Sequence, residues 1–245
     1  MYNNNKPQNP NSYIVFDFET SGLDPNKVAV TEIAMIVIKG DEFLEEIGRY
    51  EALIKPYNPK LQYEEKALKI TNISIDKLHD EGKDFKEVVE NVLELMISAN
   101  CYKEKSPGLK PILVGHNVQF DIAFLQAMMN EYYKDQKTSG DKRLQELLHG
   151  RESLYGNFTP TYIDTWVLGK MWFGGDIELP NYKLGTIVEK AGIEIYEAHR
   201  AMNDVVATGE FLRACIRSMK GGYDFVQENN SRITKSKREN FLFPI

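Results

Sequence analysis

Three stretches near the N-terminus, residues 13–18, 28–39 and 43–54, are dense in β-branched and aromatic side chains, and Gly22, Pro25 and Gly40 fall between them. That pattern predicts three consecutive strands joined by short turns. Over residues 63–69 and 84–100 the apolar positions recur every three to four residues, which predicts two helices, with Asp84 suited to cap the second. Residues 111–114 form a short apolar run, broken by Gly115, His116 and Asn117, before residues 119–133 return to helical spacing. The prediction there is strand, loop, helix. Residues 134–157 turn charged and polar, with Gly140, Gly150 and Gly156 scattered through them, and read as a surface insertion containing one short helix. A strand over 161–164 and helices over 165–172, 183–191 and 201–220 complete the pattern. A strand meander followed by alternating strands and helices predicts an α/β fold, a sheet of mixed direction covered by helices. The chain shows no internal repeat. It divides into a flexible N-terminal run (1–12), one domain (13–222, with the insertion at 134–157) and a C-terminal tail (223–245).

Composition narrows the class. With 245 residues and 42% hydrophobic content, the chain can bury a full core. Two cysteines, Cys101 and Cys215, are too few for a disulfide framework and lack zinc-binding spacing, so a reducing, intracellular setting is expected. The polar start has no signal-peptide pattern and no apolar stretch reaches membrane-spanning length, which predicts a soluble, cytoplasmic protein without membrane contact. A net charge of −6 argues against a protein that coats nucleic acid through a broad basic surface. It leaves room for an acidic cluster that holds divalent cations, which would invert the local field and attract phosphate.

The candidate chemistry sits where strands end and helices begin. Asp17 and Glu19 close the first apolar strand two residues apart, so both project from one face. Acid-x-acid pairs arise about five times by chance in a chain this acidic, and a solvated strand end is the plain alternative. Asp121 opens a helix directly after an apolar strand, where capping the helix would also explain it. His199 precedes the last long helix and Asp204 lies one turn inside it, among small and apolar neighbours; a structural histidine is the alternative there.

Taken together, these residues carry a resemblance. Three blocks, VFDFETSGL from Val15 to Leu23, GHNVQFD from Gly115 to Asp121 and HRAMND from His199 to Asp204, make the chain similar to the DEDDh 3′-to-5′ exonucleases, the family of the DNA polymerase III proofreading subunit and of RNase T. The likeness spans Ser12 to Met219, with smaller echoes at Ile163-Asp164-Thr165, Tyr182-Lys183-Leu184 and Ile70-Thr71-Asn72-Ile73. In the last of these the family usually has glycine where this chain has Asn72, a residue that tolerates positive φ. The resemblance implies an RNase H-like mixed sheet flanked by helices. It implies that Asp17, Glu19, Asp121 and Asp204 hold two Mg²⁺ or Mn²⁺ ions, that His199 takes a proton from the attacking water, and that Thr20, Leu23 and Asn117 touch the terminal nucleotide. Asp164 would be structural, and His116, Phe18 and Phe120 would serve the core or orient neighbours. The implied partner is a single-stranded 3′ end, with a DNA polymerase or other replication protein a further candidate. DNA proofreading or repair is the first reading, RNA trimming the second, and a catalytically silent binding module the third. The basic residues Arg232, Lys235, Lys237 and Arg238 ahead of the apolar end (241–245) would either dock the tail on a partner or nucleic-acid backbone, or belong to a frayed terminus.

Overall fold

Strand β1 (Tyr13–Thr20) lies at the centre of a five-stranded sheet of order β3-β2-β1-β4-β7. The computed structural model describes residues 11–100, 110–154, 157–193 and 200–230, with side chains through residue 221. On one side of β1, β2 (Val30–Ile38) and β3 (Glu46–Leu53) add as an antiparallel meander. On the other, β4 (Ile112–Gly115) and β7 (Tyr162–Asp164) run parallel to it. This is the predicted mixed α/β sheet. The carboxyl ends of β1, β4 and β7 therefore open onto one edge, where ligand sites of such sheets collect.

Alternation along β1 decides what each face receives. Ile14, Phe16 and Phe18 point into a core shared with α3 (Phe85–Ala99) and α4 (Gln119–Tyr133). Val15 points the other way, against Ala201, Val205 and Leu212 of α8 (Ala201–Asn230). Asp17 and Glu19 share the parity of Val15 and so belong to the α8 face. Gly209 lets that helix lie close to the sheet, since a Cβ there would stand 3.0 Å from Ile36 Cδ1 and 3.3 Å from Ile38 Cδ1. A glycine inside a helix costs about 0.5–1 kcal/mol, which the close packing offsets. Helices α6 (Thr165–Phe173) and α7 (Leu184–Lys190) complete this layer through Leu168, Ile187 and Val188 against Phe211 and Cys215 of α8.

Helix α3 is capped by Asp84, whose side chain accepts the Lys86 N–H, as expected. Helix α1 (Glu65–Thr71) ends on Asn72 at φ 54°, so asparagine does take the left-handed conformation there. Helix α2 (Ile75–Glu81) was not predicted, because its seven residues give no measurable period; the cap at Ser74, accepting from Lys77 N–H, was its readable signal.

Two regions depart from the sequence reading. The segment read as a surface insertion forms α5 (Gly140–Leu147) and a two-stranded ribbon of β5 (Gly150–Glu152) with β6 (Phe158–Pro160). Leu144, Leu147 and Leu148, with Phe158 just beyond the segment, are buried in the main core, so this region closes one end of it. Its sparse apolar residues are spaced for packing on α4, a pattern that its polar content masks. Helix α8 continues to Asn230, past the boundary placed at 222. Residues 1–10 and 231–245, with the basic and apolar C-terminal residues, lie outside the described residues, as does Cys101. Cys215 is a buried free thiol.

Candidate active site

Beyond Val15, β1 outruns its parallel neighbour, because pairing with β4 covers only Tyr13 to Val15. The Phe18 N–H on that side therefore has no strand partner and donates instead to Asp121 Oδ1 at 3.1 Å. Asp121 is not a helix cap: α4 is capped at Val118, and Asp121 sits buried in its first turn. Its carboxylate is thus fastened to the Asp17–Phe18 peptide. On the α8 face, Asp17, Glu19 and Asp204 bring ligand oxygens within 4.8 Å of one another. Asp204 reaches this point from the first turn of α8, where its N–H donates to Arg200 O at 3.1 Å.

Four acids in one partly buried place repel. Burial, then the charges of Asp204 and Glu32, push Asp17 up to about 7. Burial, then Asp17, Asp204 and Glu32, push Glu19 up to about 8, with Arg200 opposing. Asp121 is raised by burial and by Asp17, against the Phe18 N–H, which favours its charged form. A set of hard oxygen donors that resists ionisation in the absence of countercharge fits a divalent cation of the magnesium type. Asp17 and Glu19 bind protons more tightly folded than unfolded, so the stability they confer is complete below their ordinary values near 4 and is lost as pH rises through 7 to 8. In chelator, Tm should fall by roughly 5 °C or more between about pH 6 and about pH 8.5, and Mn²⁺ should restore it mainly at the higher pH. A chelated protein whose Tm is flat across that range would contradict this electrostatic picture.

The expected substrate contacts lie on the same edge. Thr20 is buried at the end of β1, with its hydroxyl donating to Gly22 O at 2.7 Å. Leu23, on the turn that follows, is 79% exposed. Asn117 follows β4 at φ 58°, held by donation of its N–H to Asp164 Oδ1 at 3.0 Å. The same oxygen accepts the Trp166 N–H at 2.9 Å and caps α6, which gives Asp164 the structural part expected of it. The Thr165 hydroxyl donates to Gly115 O, so it accepts from His116 Nδ1 at 3.1 Å and orients that ring. Phe18 is buried in the core, and Phe120 packs against it. His199 lies outside the described residues, directly before Arg200.

Two further charged residues stand at the cluster that the sequence reading did not single out. Glu32 is buried in β2 opposite Glu19, and Arg200 pairs with it at 2.9 Å. A lone acid inside an otherwise apolar strand was the available signal.

Clustered carboxylates at the carboxyl edge of a mixed sheet, one of them carried in by α8, make a site suited to a divalent cation. The chain belongs to the RNase T exonuclease family, which matches residues 14–212. It is 29% identical over 209 residues to the PolC-type DNA polymerase III of Thermotoga maritima, covering 85% of this chain and 12% of that protein. To the PolC-type polymerase of Bacillus subtilis it is 27% identical over 226 residues, covering 92% of this chain and 13% of that protein. Among solved structures, E. coli exonuclease I in complex with a dT13 oligonucleotide superposes with a TM-score of 0.64 at 18% identity, over 89% of this chain and 44% of that one. Exonuclease I from Methylocaldum szegediense gives a TM-score of 0.62 at 22% identity, over 89% and 43%. The chain thus spans less than half of the exonucleases and a small part of the polymerases.

Proposed function

We propose that this chain removes nucleotides one at a time from the 3′ end of single-stranded DNA, with two Mg²⁺ or Mn²⁺ ions held by Asp17, Glu19, Asp121 and Asp204. The observation that carries the reading is the approach of Asp17, Glu19 and Asp204 oxygens within 4.8 Å, together with the tie between Asp121 and the Phe18 N–H. Two divalent ions would offset the charge of the four carboxylates, so that the site no longer repels a phosphate. When bound, the ions stabilise charge on the phosphate and lower the pKa of the attacking water. The residues of the chain do the rest. His199 takes the water's proton, Leu23 packs against the terminal base from its exposed turn, and Thr20 and Asn117 hold the nucleotide from the ends of β1 and β4. DNA is favoured over RNA because the polymerase relatives and the oligonucleotide-bound exonuclease I are DNA proteins by name. We further propose that the chain works beside a DNA polymerase in the cytoplasm. Among the described residues, no helix is long and apolar enough to cross a membrane.

A 5′-labelled single-stranded oligonucleotide should give a descending ladder in Mg²⁺ and none in chelator, and the RNA of the same sequence should be cut more slowly. The net charge of −6 offers little to hold a second strand, so duplex ends should be poorer substrates. Release of the 5′-terminal nucleotide first, or cuts in circular single-stranded DNA, would refute the polarity.

A further inference from the structure

We propose that Glu32 and Arg200 form a positioning pair that fixes the first turn of α8, and through it Asp204, opposite Asp17 and Glu19. Glu32 shares its parity with Ala34, Ile36 and Ile38, which pack under α8, so its side chain lies on the face of the acidic cluster. It is 3% exposed and stands directly opposite Glu19 in the β1–β2 register. Oε1 accepts from Arg200 Nη2 at 2.9 Å and Nε at 3.3 Å, while Oε2 is buried without a hydrogen-bond partner. Burying an acid beside other acids is unfavourable, and like charges directly opposite in a strand pair destabilise it. Stability does not explain the pair either, because the Arg200 side chain is 48% exposed and an ion pair open to solvent on one side contributes little.

Its geometry does explain it. The Arg200 carbonyl accepts the N–H of Asn203 at 2.9 Å and of Asp204 at 3.1 Å, so Arg200 starts α8. The guanidinium of that same residue is tied to β2 at the rung where Glu19 sits. Ala201 and Val205 are fully buried under the helix and set its distance from the sheet, and Arg213 Nε ties its middle to Leu44 O at 2.9 Å, but neither orients the first turn, where Asp204 sits. The two-nitrogen contact on Glu32 does. Next to it, the register shifts between Glu19 and Thr20, and the Thr31 hydroxyl donates to Glu19 O at 3.0 Å, which fixes the strand side of the cluster. Bulges of this kind re-aim side chains beside active sites.

The inference rests on the proposed cation-dependent reading of the cluster, and charge and position predict opposite signs for one variant. Arg200→Met removes a positive charge near the cations, so electrostatics alone would tighten Mn²⁺ binding. Positioning predicts that Mn²⁺ binds roughly tenfold or more weaker and that kcat on a 5′-labelled oligodeoxynucleotide falls by a similar factor, with KM unchanged. Arg200→Lys, which keeps a cation on Glu32, should recover part of both losses. The paired variant Glu32→Gln with Arg200→Met leaves no unpaired buried charge and guards against a single variant that fails to fold. It should keep the wild-type Tm to within a few degrees yet stay slow and weak for Mn²⁺. Tighter Mn²⁺ binding by Arg200→Met, or wild-type kcat and Mn²⁺ affinity in the paired variant, would overturn the proposal. An inactive wild type would instead sink the exonuclease reading, and the Mn²⁺ affinities would still decide the role of the pair.

Discussion

Asp17→Asn should reduce turnover by about a thousandfold or more while the protein stays folded. The amide keeps the shape of the side chain and removes the charge that faces the cations, and three decades of rate correspond to about 4 kcal/mol of lost transition-state stabilisation. The same change carries a second, opposite signature. In chelator at about pH 8, Asp17→Asn should be more stable than wild type, because it removes a charge whose burial, and then repulsion from Asp204 and Glu32, push Asp17 up to about 7. Sites that hold strongly interacting charges commonly sacrifice stability in this way. Asp121→Asn should also lose activity, yet its amide oxygen can still accept the Phe18 N–H, so the tie between α4 and β1 survives. Measurement needs thermal melts with and without Mn²⁺, Mn²⁺ titration, and ladder assays on all three proteins. A variant at Asp17 or Asp121 that keeps more than about a tenth of wild-type turnover in Mg²⁺ would remove that residue from the ligand set.

What could be read from the sequence follows from how far each signal reaches along the chain. Strands β1 and β2 and helices α3 and α4 are long enough for their periods to declare themselves, and α4 matches its predicted bounds of 119–133. Blocks around Asp17, Asp121 and Asp204 were legible because each acid sits near the end of a strand or the start of a helix. Their meeting was not: parity puts Asp17 and Glu19 on one face of the sheet, but only the packing of Val15 against Ala201 and Val205 says which helix covers that face. The pairing of Arg200 with Glu32 spans 168 positions and leaves no local spacing to detect. Segment 134–157 misled for a different reason. Leu144, Leu147 and Leu148 are few among charges, so composition suggested surface although each is buried. Asp121 was open to a capping role because a cap and a first-turn acid differ by a few residues, a distance within which helix starts cannot be read from sequence.

His199 carries the other large effect, as the one imidazole among the candidate residues, a base whose ordinary titration lies near neutrality. His199→Ala should lower turnover by roughly a hundredfold, the usual contribution of a general base. To accept a proton the imidazole must be neutral, so wild-type activity should rise with pH through the titration of His199. In the variant this acid limb should vanish, leaving a flatter profile at the lower rate. Mn²⁺ affinity should stay close to wild type, because Asp17, Glu19, Asp121 and Asp204 all remain and Arg200, the next residue, still binds Glu32 and starts α8. That combination separates the base from its neighbour, since loss of the Arg200 contact is expected to weaken Mn²⁺ binding and loss of His199 is not. Full turnover with an unchanged acid limb in His199→Ala would make the histidine structural and place the proton acceptor elsewhere in the site.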